Sequence, residues 1–216
     1  RSYKPDQPGE LFIGDKNVIR EGVTLHRGNW NGPATRVGSN CYIMAQAHAG
    51  HNAQIGDWVT MANAAALAGH SSVGNYCVLS AFASVHQFTS VGEGVMFQAC
   101  GRVSMHVPPW CLVADYNTIA GLNRIGMRRN PNLTQVERDE IKEVYRAIYR
   151  RKGGRPMEEV MSELGARTWS PAAARWIAFI RESLDQKPPR SRGVCGGGSR
   201  RRVPSSTDRA ETAEIG

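Results

Sequence analysis

Six histidines occur among the 216 residues, and four of them, His48, His51, His70 and His86, fall within one short stretch. Imidazole titrates near neutrality, so a well-placed ring can take a proton from a hydroxyl as that hydroxyl attacks a carbonyl. A second ring can then orient or polarise the reactants. Three neutral imidazoles can instead hold Zn²⁺ and leave a fourth position for water. Gly50 and Gly69 stand beside His51 and His70, where backbone N–H groups can approach a developing oxyanion; the same glycines also suit a tight corner. Residue types alone leave acid–base and zinc chemistry both open.

Whether these rings meet depends on a repeat. Starting at Val37 and stepping by six gives Val37, Ile43, Ala49, Ile55, Met61, Leu67, Val73, Leu79, Val85, Val91, Phe97 and Val103, all apolar. Four positions after each comes a small or β-branched residue, from Cys41, Ala47 and Ala53 through to Val107. A six-residue period matches neither an α-helix nor a hairpin, but it suits short strands turned at every hexad and stacked on the next circuit. The predicted fold is a parallel β-solenoid with three hexads, or 18 residues, per coil. Gly38, Gly50, Gly56, Gly74 and Gly92 are expected at corners free of Cβ strain. The same step runs earlier through Ile13, Ile19 and Leu25, and Asn29–Ala34 reads as a loop leaving the stack. Projected on an 18-residue coil, His51, His70 and His86 fall on one column with His48 nearby. His106 lies three coils further, about 14 Å away at the strand spacing, and is expected as a solvated surface side chain. Cys41 and Cys77, two coils or about 9.6 Å apart, lie beyond disulfide reach.

After Pro108-Pro109 the period changes. Thr134 and Glu137 have capping-box spacing, followed by Ile141, Val144, Tyr145, Ile148 and Tyr149 at helical intervals. Gly153-Gly154 is expected to stop this helix. A second spans 156–164, and a third opens at Ser170-Pro171 with Trp176, Phe179, Ile180 and Leu184 on its apolar side. The division expected is a solenoid over 1–110, a connecting segment over 111–130, a helical domain over 131–186 and a disordered basic tail over 187–216. Half of the net charge of +8 sits in that tail, which is read as a solvated extension. The uncovered first strand edge predicts further coils before Arg1. Five single cysteines without CxxC spacing favour a reducing, cytoplasmic compartment, and no apolar run is long enough to span a bilayer.

The segments Thr24-Leu25-His26-Arg27-Gly28, Ala47–Asn52, Leu67–His70, Val85–Phe88, Val107–Trp110 and Gly121–Arg129, in this order and spacing, resemble the acyl-carrier-protein:UDP-N-acetylglucosamine O-acyltransferase family over roughly residues 1–184. That resemblance implies a left-handed β-helix of hexapeptide repeats followed by a C-terminal α-helical domain. It also implies a homotrimer with sites between neighbouring prisms. The implied partners are an acyl carrier protein bearing a 3-hydroxyacyl chain and UDP-N-acetylglucosamine, in the first step of lipid A synthesis. No cofactor, metal or nucleic acid is implied, nor any stable membrane insertion. By the same resemblance His51 is the general base, and the Gly69 N–H is the oxyanion donor. His48, His70, His86 and Gln87 line the cleft, and Asn123, Arg128 and Arg129 hold the uridine diphosphate. Ala99 stands where family members often carry a Gly at the floor of the acyl groove, marking it as an acyl-chain ruler. Asn52 stands where they often carry Asp. The alternatives are another hexapeptide-repeat sugar acyltransferase, a zinc enzyme resembling γ-type carbonic anhydrase, and an inactive fragment or scaffold.

Overall fold

In the computed structural model, which describes residues 7, 9–29, 32–150 and 155–197, each hexad folds as a two- or three-residue strand followed by a corner. Sheet A stacks β1 (Leu11–Ile13), β4 (Thr35–Val37), β7 (Gln54–Ile55), β10 (Ser72–Val73) and β13 (Ser90–Val91). Sheet B begins with β2 (Val18–Ile19), β5 (Tyr42–Ile43), β8 (Thr60–Met61), β11 (Val78–Leu79) and β14 (Met96–Phe97). Sheet C stacks β3 (Thr24–Leu25), β6 (His48–Ala49), β9 (Ala66–Leu67), β12 (Ser84–Val85) and β15 (Arg102–Val103). All these neighbours are parallel, and the whole winds as a left-handed β-helix with a C-terminal helical part.

From Val37 onward the predicted register holds: Val37 pairs with Ile55, Ile43 with Met61 and Ala49 with Leu67, each one coil apart. Both apolar registers are buried from Val37 to Val107, so alternate residues of each strand fill a narrow prism while the others face outward. The first coil differs. Ile13 pairs with Val37, Val18 with Tyr42 and Thr24 with His48, six residues more than one coil, because the Asn29–Ala34 segment leaves the stack as expected. Trp30 and Asn31 within it lie outside the described residues. Ile13 and Ile19 are 45% and 42% exposed, since no described coil stacks on their outer side.

The corner glycines have a different reason from the one predicted. Gly38, Gly56, Gly74 and Gly92 do not adopt positive φ; that conformation is taken by Asn40, Asn52, Trp58, His70, Tyr76 and Phe88. What requires glycine is close stacking, because a Cβ on Gly38 would sit 2.6 Å from the Gly56 carbonyl.

The solenoid also runs past residue 110. β16 (Cys111–Asp115) adds to β14 in parallel, β17 (Thr118–Leu122) folds back on it, and Asn123 caps a short helix α1 (Arg124–Arg129). The boundary expected at 110 therefore falls inside sheet B. Helix α2 (Gln135–Tyr149) has the predicted Thr134/Glu137 capping box. Helices α3 (Met157–Gly165) and α4 (Pro171–Asp185) follow. Trp176 and Ile180 are buried as expected, but Leu184 is half exposed and Ser183 takes the inward position. The stop expected at Gly153-Gly154 falls outside the described residues.

Residues 187–197 are not a free extension. β18 (Gly196–Gly197) pairs with β17, and Cys195 is buried. The expectation of a disordered segment from 187 is corrected for these residues: backbone bonds available at the end of the stack capture them. Residues 198–216 lie outside the described set.

Trp176 ties α4 to the solenoid, donating its ring N–H to the Pro109 carbonyl at 2.6 Å. Trp176→Ala is expected to cost about 3–5 kcal/mol, measured as a lowered urea midpoint, because it leaves a cavity and an orphaned carbonyl at that junction.

Candidate active site

Each coil passes from sheet A to B to C, so the histidines gather at the corner joining C back to A. His51 follows β6, Gly69 and His70 follow β9, and Gln87 and Phe88 follow β12. The His51 and His70 rings meet edge-on with centroids 5.0 Å apart. His48, facing outward from β6, lies three residues before His51; its ring meets His26 edge-on at 4.8 Å, and its Nδ1 lies 2.8 Å from the Thr24 hydroxyl. Burial first, and His26 second, hold the His48 imidazole below the ordinary histidine range. His86 is on the same corner but exposed, with Nδ1 donating to the Gln87 carbonyl at 3.2 Å. The ring that continues the stack is Phe88, 5.0 Å from His70 and 18° from parallel. Phe88 follows His70 by one coil, so the register contains it; a search limited to polar side chains passes it by.

The protonation pattern of His51 follows from its neighbours. Asn52 is buried, and its Nδ2 donates to the Pro33 carbonyl at 2.5 Å while its Oδ1 accepts from the Asn29 N–H at 3.2 Å. These partners fix the amide, since a carbonyl only accepts and a backbone N–H only donates. The atom facing His51 Nδ1 at 2.8 Å is therefore an acceptor, and Nδ1 must carry the proton. In the neutral ring Nε2 then keeps its lone pair. That is the tautomer a general base needs, and a neutral amide sets it here.

Gly69 adjoins the same ring. A Cβ built there would lie 2.7 Å from both Cε1 and Nε2 of His51. Among the described residues no backbone carbonyl takes the Gly69 N–H. The His51 ring and the Gly69 amide thus share one small space. Residues 32–34 wall it on one side: Gly32 lies against Asn52 and the His70 Cε1, and the Ala34 carbonyl accepts from Gln54.

The expected nucleotide-binding residues lie elsewhere in the chain. Arg128 lines a cleft of about 580 Å³ with Met96, Leu112, Arg124, Arg138 and Lys142, beside sheet B. Arg129 is exposed on the same short helix. Asn123 is largely committed to the fold: its Nδ2 donates to the Gly94 carbonyl and its Oδ1 caps Gly126, which leaves one N–H for a ligand. Ala99 is exposed at the corner between sheets B and C. Sheet B is the side of the triangle opposite the C-to-A corner, so one chain does not bring its histidines and these residues together.

Burial pushes the Cys77 and Cys195 thiols up to about 12, which removes them as thiolate nucleophiles. All five cysteines are free, as the spacing of Cys41 and Cys77 requires. Among the described residues, no group of three His, Cys, Asp or Glu side chains is placed to hold a metal ion, and no helix is long and apolar enough to cross a membrane.

His106 overturns its expected place on the surface. It is fully buried, its Nδ1 accepts from the Ser90 N–H at 3.0 Å, and its Nε2 donates to the Arg190 carbonyl at 2.8 Å. Both bonds require the neutral ring, and burial, foremost among the causes, holds its pKa below the ordinary 6.5. The folded chain therefore binds this proton less readily than the unfolded one. Its stabilisation is complete above about pH 6.5 and is lost as pH falls through the folded value. The urea midpoint should drop between pH 7 and pH 5, and His106→Asn should flatten that dependence.

The family model described as UDP N-acetylglucosamine O-acyltransferase, domain 2, matches residues 106–195. The chain is 36% identical over 185 residues to the acyl-[acyl-carrier-protein]–UDP-N-acetylglucosamine O-acyltransferase of Janthinobacterium sp. (strain Marseille), covering 84% of this chain and 70% of that one. It is 39% identical over 163 residues to the Anaeromyxobacter sp. (strain Fw109-5) protein of the same name, covering 74% and 63%. The solved Arabidopsis UDP-N-acetylglucosamine acyltransferase superposes with a TM-score of 0.82 at 32% identity, over 89% of this chain and 68% of that one. The Francisella novicida enzyme gives 0.81 at 30% identity, over 96% and 73%. With this register, these site residues and this likeness spread over most of its length, the chain belongs to the acyl-[acyl-carrier-protein]–UDP-N-acetylglucosamine O-acyltransferase family.

Proposed function

We propose that the chain transfers a 3-hydroxyacyl group from acyl carrier protein to the 3-hydroxyl of UDP-N-acetylglucosamine, the first step of lipid A synthesis, with His51 as general base. The observation that carries this reading is the His51 ring, anchored through Nδ1 2.8 Å from the Asn52 Oδ1, packed directly beside the Gly69 backbone. Nε2 takes the proton of the sugar hydroxyl as its oxygen attacks the thioester carbonyl. The Gly69 N–H donates to the oxyanion of the tetrahedral adduct. Collapse breaks the carbon–sulfur bond, and the imidazolium returns its proton to the departing thiolate, so no covalent enzyme intermediate forms. His48, His70, His86 and Gln87 shape the cleft. Arg128 and Arg129 offer planar guanidinium groups to the diphosphate. Asn123 serves them chiefly by fixing α1, and Ala99 limits the acyl groove.

A homotrimer belongs to this reading. The histidine corner and the α1 cleft face opposite sides of one prism, so a neighbouring copy is needed to bring one chain's arginines to another's histidines. Exposed Trp58 and Phe82 supply apolar surface for such packing. Cytoplasmic residence is part of the same proposal and agrees with the free thiols. The test is to incubate the purified chain with UDP-N-acetylglucosamine and 3-hydroxyacyl carrier proteins of several lengths. Ester formation on the sugar is expected, and its absence with every donor overturns the proposal. Ala99→Gly should lengthen the preferred acyl chain in the same assay; an unchanged preference removes Ala99 as the ruler.

A further inference from the structure

Asn52, His70, Phe88 and His106 occupy equivalent places on successive coils, so the corner carrying the reactive pair continues well beyond it. Phe88 covers one side of His70. One coil further, His106 does not extend the stack, because its ring is turned into bonds with Ser90 and Arg190. The segment Arg190–Cys195 lies there instead. It is fastened by the His106 Nε2–H to the Arg190 carbonyl at 2.8 Å, by the His106 N–H to the Gly193 carbonyl at 2.8 Å, and by the Cys195 N–H to the His106 carbonyl at 2.9 Å. Tyr149 donates to the Cys195 carbonyl at 2.9 Å from the helical side. The guanidinium carbons of Arg190 and Arg192 lie 5.9 and 6.0 Å from the Phe88 ring centroid, at the outer range of cation–π attraction. Nε of Arg192 is buried without a partner, so this side chain is held in place by packing.

Phe88 thus stacks on one imidazole and has two guanidinium groups near its ring. We propose that the strap Arg190–Cys195, latched by His106, is a positioning device for the active site: it holds Phe88 against His70 and so sets how His70 meets His51. The inference rests on the transferase reading for its kinetic consequence, but not for its structural one. Arg190, Arg192, Phe88 and His106 are positioning residues that act through His70. A single neutral hydrogen bond is a weak latch, so the strap is kept closed by several acting together.

The test uses the full chain carrying Cys100→Ser, which leaves only buried thiols. Three readings are taken: alkylation of Cys195, the His70 ring-proton resonances, which the stacked Phe88 ring shields, and kcat and KM separately. His106→Asn keeps an acceptor for the Ser90 N–H but removes the donor to Arg190. It should make Cys195 reactive while Cys41, Cys77 and Cys111 stay protected. Arg190→Ala with Arg192→Ala should shift the His70 resonances downfield and lower kcat about fivefold with KM within about twofold, as expected when orientation rather than binding is lost. The Arg190→Lys/Arg192→Lys pair should restore part of both. Unchanged His70 resonances and kcat in the alanine pair would overturn the proposal. So would a raised KM with unchanged kcat, which would make these arginines substrate ligands. If the parent chain transfers no acyl group, the transferase reading fails, and the resonances and alkylation still decide whether the strap orders the corner.

Discussion

His51→Ala is expected to lower acyl transfer by about 10²–10⁴-fold, the range general-base removal usually spans, with the melting temperature little changed. The ring is half buried at a corner, and the strained left-handed position belongs to the next residue, Asn52, at φ 61°. Loss of the imidazole therefore removes the lone pair at Nε2 without disturbing the stack. Asn52 keeps its bonds to Pro33, Asn29 and the Thr35 hydroxyl. The measurement is the steady-state rate with saturating sugar nucleotide and donor, beside circular dichroism of both proteins. Full transfer by a folded variant would remove His51 from the mechanism, and the reading of the Asn52 amide would then carry no chemical meaning.

Gly69→Ala should be nearly as damaging, with a loss of about 10²–10³-fold, comparable to deleting an oxyanion donor, although it adds only a methyl group. The methyl would sit 2.7 Å from Nε2 and Cε1 of His51 and 3.1 Å from Nδ1, closer than carbon and nitrogen tolerate. Gly69 does not adopt positive φ, so alanine meets no backbone strain. The ring must therefore move, and moving it breaks either the Nδ1 bond to Asn52 or the alignment of Nε2 with the Gly69 amide. Stability should fall by about 1–3 kcal/mol, the usual cost of overpacking. Near-normal activity would mean that the imidazole has slack at this corner, and the shared base–donor space would not be the reaction site.

The stack was legible because each hexad repeats one physical instruction. An inward apolar residue and a small one four places on leave little choice of fold, and every residue of both registers from Val37 to Val107 is buried. The pairing of His51 with His70 followed from the same count. Less legible were features set by contacts between distant segments. Nothing near Asn52 in sequence says that Pro33 and Asn29 orient its amide, and nothing near His106 announces that Arg190 receives its proton. Residues 187–197 read as solvated for want of apolar side chains, yet they are held by backbone bonds, which composition does not record. Asn123 is expected at the uridine diphosphate from the family resemblance alone, and no local pattern announces that two of its bonds hold Gly94 and α1 in place.

The buried amide of Asn52 has an evolutionary consequence. A carboxylate at this position would set an acceptor against the Pro33 carbonyl at the 2.5 Å now spanned by a donor, so a single Asn-to-Asp exchange meets repulsion before any benefit at His51. The corner residue and the loop above it are therefore epistatic. A carboxylate at residue 52 should be accepted when the loop is exchanged with it as a cassette, and should stall when either is changed alone.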